Sequence, residues 1–242
     1  MQREYFKWFS SHLLKSMELL VFGHSGNRVL FFPTRGARFY DYENWRVIDA
    51  LRDKVNDGLL QIICVDSIDH ESLYNIDIHP ADRVLRHIQY EQYIIHEVLP
   101  FSLAINPDSK LYAAGCSLGA YHAVNIAFRH PRLFSKVIGM SGRYDLTVQR
   151  GFFSDLFSGY ADENVYFNMP NQFIANLTDD NIINQLKQLE IIIAIGQEDA
   201  FLDDSRYLSG LLWEKEIWNA LHNWDGEAHK PRFWRQMVQI YF

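Results

Sequence analysis

The chain has 242 residues, 48% hydrophobic and 22% charged, a balance that suits one globular unit with a substantial core and excludes a disordered or fibrous chain. Its net charge of −7, without a long basic run, offers no general attraction to phosphate backbones or anionic membranes, so neither nucleic acid nor a membrane surface is an expected partner. The N-terminal stretch mixes charges with aromatics, and no later run approaches the ~18 apolar residues of a membrane span, so the default compartment is the cytoplasm.

In chain order, residues 4–10, 16–22 and 28–32 read as strands, with Gly23-His24-Ser25-Gly26-Asn27 as the turn before the third. The spacing predicts an antiparallel meander. Trp45, Ile48, Leu51 and Val55 then recur at helical spacing, predicting a helix that Gly58 stops, and residues 60–65 follow as a continuous apolar strand. A helix over 81–99 is expected to end at Pro100. After it come a strand over 111–116 and a helix from Leu118 to the His130-Pro131 break. Residues 136–141 and 189–195 read as further strands, the latter carrying Ile191-Ile192-Ile193 with no polar alternation. The chain closes with a strand around 216–224 and a helix from Pro231, whose Trp234, Met237, Val238 and Tyr241 form one apolar stripe. Apolar strands alternating with helices predict an α/β fold: a mostly parallel sheet covered on both faces, led by antiparallel N-terminal strands. Cys64 and Cys116 fall inside apolar strands and read as reduced core residues.

Residues 143–188 break the alternation. They are rich in asparagine and in aromatics such as Tyr144, Phe152, Phe153, Phe157 and Phe173. The stretch reads as a cap-like helical insertion within a single domain spanning 1–242, placed over the carboxyl edge of the sheet where open α/β sheets bind ligands. Most of its aromatics are expected to form the cap's own core.

The strongest chemical signal is Gly115-Cys116-Ser117-Leu118-Gly119, a GxSxG at a strand-to-helix junction. A serine there sits on a sharp turn with its hydroxyl projecting above the sheet, which makes Ser117 a candidate nucleophile. A serine hydroxyl needs a base to take its proton and a third group to orient that base, both on later strand-end loops. Asp199 lies just past the strand over 189–195, within Gly196-Gln197-Glu198-Asp199, and is the first choice for the acid. Asp145, after the strand over 136–141, is the alternative. Asp203 and Asp204 are expected to cap the helix that follows them. His229 follows the last strand in a loop bounded by Gly226 and Pro231, and is the expected base. His222 falls within that strand, while His122 and His130 ride the helix after Ser117 and are expected to face the sheet or solvent. For a developing oxyanion, one donor is expected from the backbone N–H of Leu118, and the other from the loop after residue 32, where Thr34 or Arg35 can donate and Pro33 cannot. Asp66, Asp69, His70, Asp77 and His79 match no compact metal-ligand spacing, so no metal is expected there, although that loop could line the site.

These residues resemble the putative-esterase branch of the α/β-hydrolases, which includes esterase-D-like S-formylglutathione hydrolases and feruloyl esterases. The resemblance is carried by GCSLGAYHAVNIAFRHPRLF with the following KVIGMSG, by GQED at Gly196 to Asp199, and by GEAHKPRFWRQM near the end. It implies an eight-stranded, mostly parallel sheet, a Ser-His-Asp triad falling on Ser117, His229 and Asp199, and hydrolysis of small-molecule carboxylic esters without a cofactor. The chain departs from many members in its oxyanion loop, which reads Phe32-Pro33-Thr34-Arg35-Gly36 in place of a His-Gly pair. Acyl transfer to an alcohol would use the same first chemical step, and a non-catalytic binding module retaining the fold is the rival from another class. Homo-oligomerisation is left open.

Overall fold

The computed structural model describes residues 1–107 and 109–242. One eight-stranded sheet organises them, in the order β1-β2-β4-β3-β5-β6-β7-β8. Its strands are β1 (Arg3–Ser10), β2 (Lys15–Phe22), β3 (Asn27–Phe32), β4 (Leu60–Val65), β5 (Leu111–Cys116), β6 (Lys136–Met140), β7 (Glu190–Gly196) and β8 (Ala220–Trp224). β1 pairs antiparallel with β2, and β2 antiparallel with β4, while every pairing from β4 through β8 is parallel. This is the expected mostly parallel sheet with an antiparallel start.

The helices in chain order are α1 (Asp41–Asn44), α2 (Arg52–Asn56), α3 (Pro80–Tyr93), α4 (Leu99–Ile105), α5 (Leu118–Arg129), α6 (Glu163–Tyr166), α7 (Pro170–Ala175), α8 (Asp180–Leu186), α9 (Leu202–Glu214) and α10 (Pro231–Tyr241). Alternate residues of the central strands divide between two apolar layers. Leu30, Phe32 and Ala113 pack on one face with Tyr90, Ala123 and Ala127, whereas Val29, Phe31 and Ala114 pack on the other with Val55, Met237 and Val238. Both faces are therefore dry, which accounts for strands without polar alternation. Among the described residues, no helix is long and apolar enough to cross a membrane.

Four local expectations need correction. The first three strands do not form a meander, because β4 inserts between β2 and β3. The turn at 23–26 crosses the chain leading into β4 so closely that a Cβ on Gly26, at φ +88°, would lie 2.2 Å from the carbonyl carbon of Leu59. In place of the single helix expected around Trp45 to Val55 there are a 3-10 turn at Asp49–Leu51 and the short α2, separated from α1 by Arg46 at φ 59°. Pro100 does not end its helix. A π turn at Ile94–Val98 widens the ladder just upstream, so the ring fits at the start of α4 and the rod runs on to Ile105. The last strand begins at Ala220, after Glu216 at φ 56° and a buried Asn219 side chain tied to Ser209 Oγ at 2.6 Å.

Between β6 and β7 the chain leaves the sheet through a long loop and the short helices α6, α7 and α8. Its aromatics are used in different ways. Phe157 is buried with Leu73, Leu118 and Met169, and Tyr144 belongs to the main core. Phe153 is half-buried, and Phe152 is fully exposed.

Candidate active site

Ser117 stands between β5 and α5 with φ 56° and ψ −120°, a strained backbone for a residue bearing a Cβ. The flanking glycines permit it. A Cβ on Gly115 would lie 2.2 Å from the carbonyl carbon of Gly119, and one on Gly119 would lie 2.1 Å from the carbonyl oxygen of Phe32. α5 thus presses on both its own strand and the end of β3, and the half-buried Ser117 side chain is raised at the carboxyl edge.

His229 lies in the loop between β8 and α10, and its Nδ1 is 2.8 Å from Asp199 Oδ2. The carboxylate is nearly sealed from water (1% exposed) while the imidazole keeps 17% exposure. A carboxylate at Nδ1 favours the tautomer that leaves Nε2 as acceptor. The other carboxylate oxygen, Asp199 Oδ1, accepts from Phe201 N–H at 2.9 Å. The imidazole is flanked by Phe201 and Trp234, with ring centroids at 5.6 and 5.9 Å. Asp145 does not reach it: its Oδ1 accepts from Thr147 N–H and Oγ1, and Gln172 Nε2 donates to its carboxylate.

Ser117, Leu118, Thr34, Arg35 and His229 line one cavity of about 250 Å³, together with Tyr74, Arg143, Leu146, Phe153, Phe201 and Trp234. Ser117 Oγ and the imidazole share this space without a direct hydrogen bond. At Leu118, the first residue of α5, the N–H has no intrahelical acceptor. In the loop after β3, Gly36 N–H donates to Asp69 Oδ2 at 3.2 Å and Ala37 N–H to Thr34 O at 3.0 Å. Among the described residues, the N–H groups of Thr34 and Arg35 have no protein acceptor, so the uncommitted donors of that loop are the two the sequence singled out.

Several supporting groups carried no sequence signal. Tyr42 is fully buried and donates to Phe32 O at 2.8 Å while accepting from Cys116 N–H at 2.9 Å, coupling the end of β3 to the residue before Ser117. Burial pushes its phenol well above the ordinary range. Ser141, at φ 54°, donates to Ala228 O and accepts from Trp234 Nε1–H, both at 3.1 Å, which pins the chain on either side of His229. Asp204 does not cap α9. It is fully buried and accepts from the backbone N–H groups of Tyr144 and Asp145, with Arg150 Nη2 on its other oxygen at 3.2 Å. Local spacing favoured a cap, but the start of the 143–188 segment takes that carboxylate because its own N–H groups are buried without another acceptor.

In the loop after β4, Tyr74 lines the cavity, while the acidic residues Asp66 and Asp69 hold neighbouring segments. Asp66 takes a forked pair from Arg38 at 2.8–3.0 Å, and Asp69 bridges Gly36 N–H to the buried His122. His130 pairs with Glu91 at 3.0 Å, and His222 packs on Tyr241 with ring centroids at 4.8 Å. Among the described residues no group of three or more His, Cys, Asp or Glu is placed to hold a metal ion. Cys64 and Cys116 are buried free thiols, and burial pushes both upward in pKa.

Comparison with known proteins adds three findings. A family model described as Putative esterase matches residues 42–223. An acetyl esterase of Caldicellulosiruptor saccharolyticus is 24% identical over 162 residues. That match takes in 62% of this chain and 60% of the relative, so the chain spans less than two thirds of that protein's length. Among solved structures, a ferulic acid esterase superposes with TM-score 0.78 at 16% identity, covering 99% of this chain and 95% of that one. FphF, a fluorophosphonate-binding serine hydrolase of Staphylococcus aureus, superposes with TM-score 0.75 at 17% identity over 99% and 96%. An S-formylglutathione hydrolase of the same organism reaches 0.70 at 15% identity, again over 99% and 96%. At such identities these likenesses speak to the fold, which is that of the α/β-hydrolases.

Proposed function

The chain belongs to the Putative esterase family, and from that premise we propose that it is a carboxylic ester hydrolase working through an acyl-enzyme on Ser117. The observation that carries this reading is a buried carboxylate on a cavity-facing imidazole: Asp199 and His229, at 2.8 Å, share a 250 Å³ cavity with a serine raised on a strained turn. In this reading His229 Nε2 takes the proton of Ser117 as Oγ attacks the ester carbonyl. Asp199 orients the ring through Nδ1–H and stabilises the imidazolium that forms. Leu118 N–H and a donor from Thr34 or Arg35 hold the tetrahedral oxyanion. The imidazolium returns its proton to the departing alcohol. Water, deprotonated by the same nitrogen, then releases the acid and restores Ser117. The sequence calls for no cofactor, and the whole chain works as one catalytic unit with residues 143–188 as its cap.

A fluorophosphonate probe applied to the native protein and to Ser117→Ala tests this, alongside p-nitrophenyl esters of increasing acyl length. Labelling and turnover are expected in the native protein and neither in Ser117→Ala. Labelling that persists in Ser117→Ala, or a native protein that is both unlabelled and inactive, would sink the reading.

A further inference from the structure

The cavity wall carries cations and no counter-charge. Arg35 and Arg143 both line it, and no aspartate or glutamate does. In a chain of net charge −7 this segregation runs against composition. Arg143 is 3% exposed and bonds only to backbone carbonyls. Its Nε donates to Asp145 O at 3.1 Å, and its Nη2 faces the carbonyls of Leu146, Val148 and Ser154 at 3.2, 2.7 and 2.9 Å. Those bonds fix the fork and, among the described residues, leave Nη1 without a protein acceptor. The carboxylates nearest in chain and space are engaged elsewhere, Asp145 with Thr147 and Gln172, and Asp204 with Arg150 and two backbone N–H groups. Arg35 is exposed at the cavity, its guanidinium carbon 5.5 Å from the ring centre of Tyr74 and 5.9 Å from that of Phe153, and it joins no ion pair among the described residues. A guanidinium held near aromatic rings still carries N–H groups beyond those it shares with Tyr74, and these can meet a carboxylate. Asp204 and Asp145 act on Arg143 only through space, and a buried cation without a direct ion pair gains from a ligand that supplies one.

We propose that the substrate is a small ester carrying a carboxylate in its acyl or alcohol part, held by Arg35 and Arg143 beside Ser117. The inference rests on the acyl-enzyme reading and adds what that serine accepts. The 250 Å³ cavity, small for a ligand site, suits a short chain with one compact charged end.

Matched ester pairs test it: p-nitrophenyl hydrogen glutarate against p-nitrophenyl pentanoate for the acyl side, and 4-carboxyphenyl acetate against its methyl ester for the alcohol side. Turnover is corrected for spontaneous hydrolysis and read as kcat/KM. In at least one pair the charged ester is expected to exceed the neutral one by about tenfold, the scale of one charge-assisted contact. That ratio should shrink as salt rises from about 0.05 to about 0.5 M. It should fall toward unity in Arg35→Gln and largely survive in Arg35→Lys. Arg143 is left unmutated because its carbonyl bonds hold the loop together. Neutral-ester turnover through Ser117 with no charge preference in either pair, or a preference that Arg35→Gln does not change, overturns this inference alone. A native protein that hydrolyses neither kind of ester overturns it together with the acyl-enzyme reading.

Discussion

Replacing Ser141 by alanine should damage stability and catalysis together, although Ser141 is not among the residues lining the cavity. Its hydroxyl joins Ala228 O and Trp234 Nε1–H at 3.1 Å each, in a place with no solvent exposure. Removing it orphans one buried acceptor and one buried donor, at ~1–3 kcal/mol each, so a loss of about 3 kcal/mol is expected. For a chain of this size that corresponds to a fall in Tm of roughly 6–12 °C. The groups released flank His229, so its imidazole loses positional restraint, and kcat should drop about tenfold while KM moves little. A glycine variant gives an internal control. Ser141→Gly orphans the same groups but relieves a left-handed backbone at φ 54°, recovering ~1 kcal/mol, so its Tm should fall between native and Ser141→Ala. Thermal unfolding and p-nitrophenyl acetate kinetics on the three proteins decide the matter. A Tm change under about 2 °C with native kcat in Ser141→Ala would refute the reasoning, because it would mean that neither orphaned group needed its partner.

Two further outcomes follow from the same geometry. Asp199→Asn should lower kcat by about 10⁴-fold through loss of the imidazole's orientation and tautomer, while Asp145→Asn should stay within about tenfold of native. Steady-state kinetics with the reverse ranking would reassign the acid. His87 is fully enclosed beside Tyr121 and Asn125, and burial pushes its pKa down to about 3. Above pH ~6.5 it is neutral both folded and unfolded; below that only the unfolded chain takes the proton, so stability is lost by ~1.4 kcal/mol per pH unit as pH falls toward 3. Urea unfolding at pH 7.0, 5.5 and 4.5 should show a shallower pH slope in His87→Gln than in the native protein, and equal slopes would rule this account out.

The parts of the site written in contiguous sequence were legible. The elbow announces itself because Gly115, Ser117 and Gly119 answer one local demand, close approach of a helix to two strands. Asp199 and His229 could be named because a parallel sheet places the residues after each strand on one edge, whatever their separation along the chain. What sequence spacing concealed were interactions whose partners come from far away. Asp204 sits where a helix cap would, yet the N–H groups that claim it belong to Tyr144 and Asp145. Pro100 reads as a terminator, and only the π turn upstream lets the helix continue. The third strand seemed bound to pair with the second, but the apolar run at 60–65, buried on both faces, takes the place between them. Ser141, Tyr42 and Arg143 are ordinary residue types, and nothing marks them until the carbonyls they serve are in view.

The excursion between β6 and β7 also separates two kinds of heritable information. Ser117, Thr34 and His229 follow strands whose register the sheet enforces, whereas Arg143, Leu146 and Phe153 belong to the excursion itself. Because β6 and β7 are adjacent and parallel, the excursion leaves the carboxyl edge after Met140 and rejoins the sheet at Glu190, opposite Lys136 at the other edge. Each doubling of such a connection adds only ~0.6 kcal/mol of closure entropy. Its length can therefore change at little entropic cost while the strand ends stay in place. On the proposed reading, the part of the cavity wall formed by Arg143, Leu146 and Phe153 is encoded where the fold resists change least, apart from the strand ends that carry Ser117, Arg35 and His229.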